Sequence, residues 1–131
     1  MANWTPDGGV GRFFELVGRY GPGGADGPSP LEWGVPARVT ALLDGADVRT
    51  EPRRVRLGFT GPADALAAHY RRHFPPVVAV VADLDDARAD RLEREIADLY
   101  TEKDVAAAGE PPCYELGYLL VRARKPVRRA P

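Results

Sequence analysis

The sequence predicts an α/β fold in which two strands lie among about four to five helices. Apolar residues recur at three- and four-residue spacing in several stretches, Arg54 to Phe59 alternates polar or small with apolar, and Tyr114 to Arg124 is apolar on both alternating faces. The first pattern is the signature of amphipathic helices. The second is that of a half-exposed strand, and the third suits a strand covered on both sides.

Val10, Phe13, Phe14, Val17 and Tyr20 make Gly9 to Tyr20 an amphipathic helix that Gly21-Pro22 stops. Gly21 to Pro30 has almost no apolar content and reads as a loop. Pro36 suits a first helical position, and Val35, Val39, Leu42 and Leu43 give a short apolar face closed by Asp44-Gly45. Val55, Leu57 and Phe59 then share one face of a strand. Gly61-Pro62 and Asp64 open a helix whose apolar face is Leu66, Ala67, Tyr70 and Phe74, with Pro75-Pro76 as the interruption. Beyond it a long helix is expected, capped by Asp83 or Asp85, with Leu84, Leu92, Ile96 and Leu99 as its stripe.

The 131 residues are expected to form a single domain, 1–131, with 44% hydrophobic and 28% charged content. Eighteen basic residues against 19 acidic ones leave a formal charge of -1, which gives no electrostatic argument for nucleic acid or an anionic membrane. One cysteine, Cys113, cannot form an internal disulfide, and a single thiol with two histidines makes no zinc cluster. The longest apolar run, Val77 to Ala82, is far short of the ~20 residues a membrane span needs. The N-terminus lacks the charged-then-apolar order of a signal peptide. A cytoplasmic location, without membrane or nucleic-acid partners, is the resulting expectation.

Asn3-Trp4-Thr5-Pro6-Asp7-Gly8, Gly11-Arg12-Phe13-Phe14 and Ser29-Pro30-Leu31-Glu32-Trp33-Gly34 together resemble the segment after the fifth sheet strand in class I S-adenosylmethionine-dependent methyltransferases of the UbiE-like, methyltransferase type 11-like group. Tyr114 to Arg124 looks like that family's last strand, and the resemblance spans nearly the whole chain. It implies that the last strand lies antiparallel to its neighbours, between the fifth and sixth strands, so that Arg54–Phe59 and Tyr114–Arg124 pair. It also implies S-adenosylmethionine as the cofactor of the full-length family. The family's glycine-rich turn and ribose-binding acid have no counterpart here, so no cofactor is expected to bind this chain alone. Gly21 to Gly27 follows no buried strand and opens no helix, which separates it from a nucleotide fingerprint. Met1 is read as corresponding to an internal methionine at the exit of the fifth strand.

By the same resemblance, Asn3, Trp4 and Thr5 are the substrate-binding candidates, standing where open α/β sheets place ligands. The competing expectation, and the favoured one, is a frayed N-terminus, because termini are poorly ordered unless tied down. Trp33 either lines the same pocket or anchors the core. His69 and His73 share a helix face with Tyr70 nearby. They are the candidate general bases, weighed against an exposed polar face shared with Arg71 and Arg72. Asp83, Asp85, Asp86 and Asp90 read as helix-start carboxylates rather than as a cation site. Arg122, Arg124, Lys125, Arg128 and Arg129 form a basic tail, solvated or docked on an acidic partner.

Two functions compete. One is the substrate-side half of a methyltransferase for a small organic acceptor, inactive alone. The other is a non-catalytic dimeric module for an apolar small molecule or a partner protein. Either way, an apolar strand with an open edge is a pairing hazard, so a homodimer or a partner is expected at the Tyr114–Arg124 edge.

Overall fold

The computed structural model describes residues 1–22 and 29–126. Most of the loop expected over Gly21–Pro30 lies outside the described residues, as do Arg128 and Arg129. The elements run β1 (Ala2–Trp4), α1 (Gly9–Tyr20), a 3₁₀ turn (Pro30–Gly34), α2 (Pro36–Leu42), β2 (Asp47–Gly58), α3 (Ala63–His73), α4 (Pro75–Val81), α5 (Asp86–Glu102) and β3 (Cys113–Arg124). Among the described residues this is a mixed α/β fold of five α-helices and a three-stranded antiparallel sheet, ordered β1-β3-β2.

Most elements fall where the apolar spacing predicts them, and the exceptions have physical causes. β2 begins at Asp47, well ahead of the expected Arg54, and passes straight through Pro52. Proline cannot donate to a ladder, but β2 is an edge strand and an outward-facing position needs no donor there. Pro75 and Pro76 do not merely interrupt; they occupy the first turn of α4, where the missing N–H would have no intrahelical partner. The run Val77–Ala82 thereby becomes a short helix that buries Val77 completely enough to leave it 1% exposed. Of the two expected caps, Asp85 starts α5, its carboxylate accepting from the Arg88 backbone N–H at 2.8 Å.

Side chains alternate across a strand, so β3 serves two cores. Tyr114 and Leu116 face a large cluster with Phe13, Leu16, Val17, Leu66, Val77, Leu92, Ile96 and Tyr100, drawn from α1, α3, α4 and α5. Leu119 and Val121 face the opposite way, against Val39 of α2 with Trp33, Leu43 and Val48 around it. The strand is covered on both sides, as its pattern predicts, but each side at a different end.

The expectation of an open edge on Tyr114–Arg124 is corrected. Ala2–Trp4 pairs with Tyr118–Leu120 on that edge, and Met1 exchanges two backbone bonds of 2.8 Å with Val121. Closer to the strand start, the Thr5 N–H donates to the Gly117 carbonyl, Val105 N–H donates to the Cys113 carbonyl, and Asp104 bridges Tyr114. The unpaired edge of the sheet on this side therefore belongs to β1.

Candidate functional site

Asn3, Trp4 and Thr5 are not frayed: they form β1 and its exit, and β3 ties them down over more than a hundred residues of sequence separation. Close backbone approach explains the glycines around them. A Cβ on Gly34 would overlap the Trp4 carbonyl, and one on Gly11 would overlap the carbonyl of Pro6. Gly8 and Gly117 both sit against the Thr5 hydroxyl. The Asn-Trp-Thr-Pro and Trp-Gly motifs thus meet in space, Trp33-Gly34 lying on the backbone of Trp4 and Thr5.

The two tryptophans do not share a pocket wall. Trp33 packs beside Val39, Leu119 and Val121, the core-anchor reading. Trp4 lies on the other face, its ring edge-on to Tyr118 at 6.5 Å and 38% exposed. Asn3 points to the Trp33 side, opposite Leu119, and its Nδ2 is buried without a hydrogen-bond partner. Such an orphan donor is costly in a finished interior.

At the exit of β1 opens a cleft of about 590 Å³ lined by Thr5, Asp7, Arg53, Arg54, Lys103, Glu115 and Tyr118 among others. Its charges are largely committed. Arg53 grips Glu51 with two bonds of 2.9 and 3.1 Å, Arg54 donates to Glu115 at 2.9 Å, and Lys103 donates to Glu102 at 2.8 Å. Of the other polar groups in the lining, the Thr5 hydroxyl donates to the Gly117 carbonyl at 3.4 Å, and the Asp7 carboxylate makes no ion pair among the described residues.

Close packing also accounts for the glycines after β1. Positions 8, 9 and 11 are filled by the chain's own atoms, with Leu116 against Gly9, Thr5 against Gly8 and Pro6 against Gly11.

His69 and His73 lie with their ring centroids 4.8 Å apart and tilted by 45° on the exposed side of α3. Tyr70 turns away from them to share a 3.2 Å hydrogen bond with Tyr100 inside the main core. The three do not converge on one cavity. Arg71, between them in sequence, bonds Asp90 and Glu93 of α5 at 2.7 Å each, a clamp between α3 and α5. Among the described residues no group of three or more His, Cys, Asp or Glu is placed to hold a metal ion.

A tyrosine cluster inside the main core is invisible to spacing alone. Tyr100 and Tyr114 meet ring to ring at 5.0 Å, and the Tyr114 hydroxyl is buried with no partner. Burial raises the pKa of both, reinforced at Tyr100 by its bond to Tyr70 and at Tyr114 by the charge of Asp104. Both phenols stay neutral across the ordinary pH range. Asp104 itself accepts from the Cys113 and Ala106 N–H groups at 2.9 Å each, and those bonds hold its carboxyl below the usual range.

The class these features define is a mixed α/β protein with a short antiparallel sheet and an open cleft at the exit of its first strand. Comparison with known proteins finds no match to a family model, a curated protein or a solved structure. Among the described residues no helix is long and apolar enough to cross a membrane.

Proposed function

We propose that this chain is the substrate-side part of an S-adenosylmethionine-dependent methyltransferase-like enzyme acting on a small organic acceptor, with cofactor-binding elements joining at the free edge of β1. The observation that carries this reading is the position of β3, antiparallel between Ala2–Trp4 on one side and Asp47–Gly58 on the other. That is the order the sequence resemblance implies for the last three strands of the family's sheet. The cleft at the carboxyl end of β1 adds support, since open α/β sheets take ligands there.

In this reading the acceptor occupies the cleft beside Thr5 and Tyr118. S-adenosylmethionine would supply the methyl group from the joined elements. Calorimetry tests the division of labour. The chain alone gives no heat with S-adenosylmethionine, while its complex with a polypeptide carrying a glycine-rich βαβ unit binds the cofactor and methylates an apolar acceptor. Tight binding by the chain alone would falsify it.

A second reading, a non-catalytic homodimer, draws on the same free edge: two copies pairing β1 to β1 about a two-fold axis close the sheet into six strands. Sedimentation velocity separates the readings, a concentration-independent dimer favouring the second.

A further inference from the structure

We propose that Arg49, Arg122 and Arg124 form a binding site for a multiply charged oxyanion of the phosphate or polycarboxylate class. The ladder sets Arg49 directly opposite Arg122, and Asp47 opposite Arg124. Alternation puts all four on the face that carries Tyr118 and Leu120, beyond the stretch of β3 that packs into the helical core. The other arginines of β2 are ion-paired, Arg53 with Glu51 and both Arg54 and Arg56 with the single carboxylate of Glu115. Arg49, Arg122 and Arg124 are exposed and make no ion pair among the described residues.

Two like charges directly opposite on neighbouring strands repel, and sheets ordinarily avoid the arrangement. An anion seated between them removes that cost and gains paired guanidinium bonds, the geometry that suits phosphate and carboxylate. The space exists. Arg49, Arg122, Arg124 and Asp47 line a hollow of about 130 Å³, several times the ~30 Å³ of a water molecule. Asp47 is the one carboxylate in that lining, and the nearby Glu51 is occupied by two bonds from Arg53. Three cations against one anion leave the hollow positive. The site stands on these side chains whether or not the chain takes part in methyl transfer.

Thermal melts of the full chain with inorganic pyrophosphate, with citrate, and with sodium chloride at matched ionic strength test the site, using the wild type and Arg122→Gln. Saturating pyrophosphate raises the wild-type midpoint by about 5–10 °C, and in Arg122→Gln the rise falls below half while calorimetric affinity drops at least about tenfold. Without anion, relief of the Arg49–Arg122 repulsion makes Arg122→Gln melt about 1–3 °C higher than wild type. Citrate matching pyrophosphate assigns a polycarboxylate source, and pyrophosphate acting alone assigns a phosphate source. Sodium chloride reproducing the whole shift, or Arg122→Gln melting lower while keeping the full shift, overturns the proposal. Far-ultraviolet circular dichroism of the variant establishes that it is folded.

Discussion

The two cores on either side of β3 differ in size, in where they sit along the strand, and in how they are closed. The larger, around Tyr114 and Leu116, is walled by four helices and filled with aromatic rings from Phe13, Tyr70, Phe74 and Tyr100. The smaller, around Leu119 and Val121, has one short helix and the Trp33 turn over it. One strand thus belongs to two interiors of unequal strength. The lesson is that a strand apolar on both faces need not lie between two full layers; it can change its covered face halfway along its length.

That inequality sets the largest expected effect. Ile96→Ala, at a fully buried site of the larger core, should cost about 3–4 kcal/mol in urea unfolding, within the range for such truncations. Val39→Ala in the smaller core removes less and should cost about 2 kcal/mol. Native-state hydrogen exchange should show Val39 and its helix opening at lower free energy than α5. Equal opening energies for α2 and α5 would erase the distinction between the cores.

Glycine substitutions sharpen the comparison next. Gly34→Ala drives a methyl into the Trp4 carbonyl beside the smaller core, and Gly11→Ala does the same at Pro6 beside the larger one. Each should destabilise by about 1–3 kcal/mol. Gly18 lies in the same helix as Gly11 with nothing near its Cβ position, so Gly18→Ala should stabilise by about 0.5–1 kcal/mol. A loss at Gly18 would mean helix propensity is not what separates these positions.

Inside the larger core the tyrosines give a smaller contrast of opposite signs. Tyr70→Phe breaks the 3.2 Å bond to Tyr100 and should cost about 1 kcal/mol. Tyr114→Phe deletes a buried hydroxyl that has no partner and should be neutral or stabilising by about 1 kcal/mol.

The smallest effect is a pH dependence. The carboxyl of Asp104 titrates below its unfolded value because two N–H groups bond its charged form. A depressed carboxyl contributes stability that is present above its unfolded pKa, near ~4, and is lost as pH falls through the lower folded value. Asp104→Asn should therefore shallow the decline of stability on acidification below about pH 4, measured by urea midpoints across that range. An unchanged acid slope would remove Asp104 from the account.

Much of the fold was legible because single residues spoke clearly. Gly9 to Tyr20 is a helix with those same ends because its stripe starts after a turn and stops at Gly21-Pro22. β3 was readable as a strand covered on both sides for want of any polar face over most of its length. The start of β2 was not legible, since Asp47 to Arg53 is mostly charged and holds a proline, and only its place at the sheet edge makes that acceptable. The fraying expected for Asn3 to Thr5 failed for a similar reason: their partner is Tyr118–Leu120, which local spacing cannot bring to them. At the candidate site, Trp33 was open to two readings and its packing decides for the core. Arg53, Lys103 and Tyr118 entered the cleft unforeseen, from β2, the turn after α5 and β3, whose convergence no pattern within one segment encodes.

The pairing of Met1 with Val121 ties positions 120 residues apart, which fixes an order of events during synthesis. At the ribosome's 5–20 residues per second, β1 waits on the order of ten seconds before its partner strand exists. The helices α3, α4 and α5 can meet one another as they emerge, their contacts being near in sequence. The pairing of β1 with β3 therefore forms after the helices between them have been made.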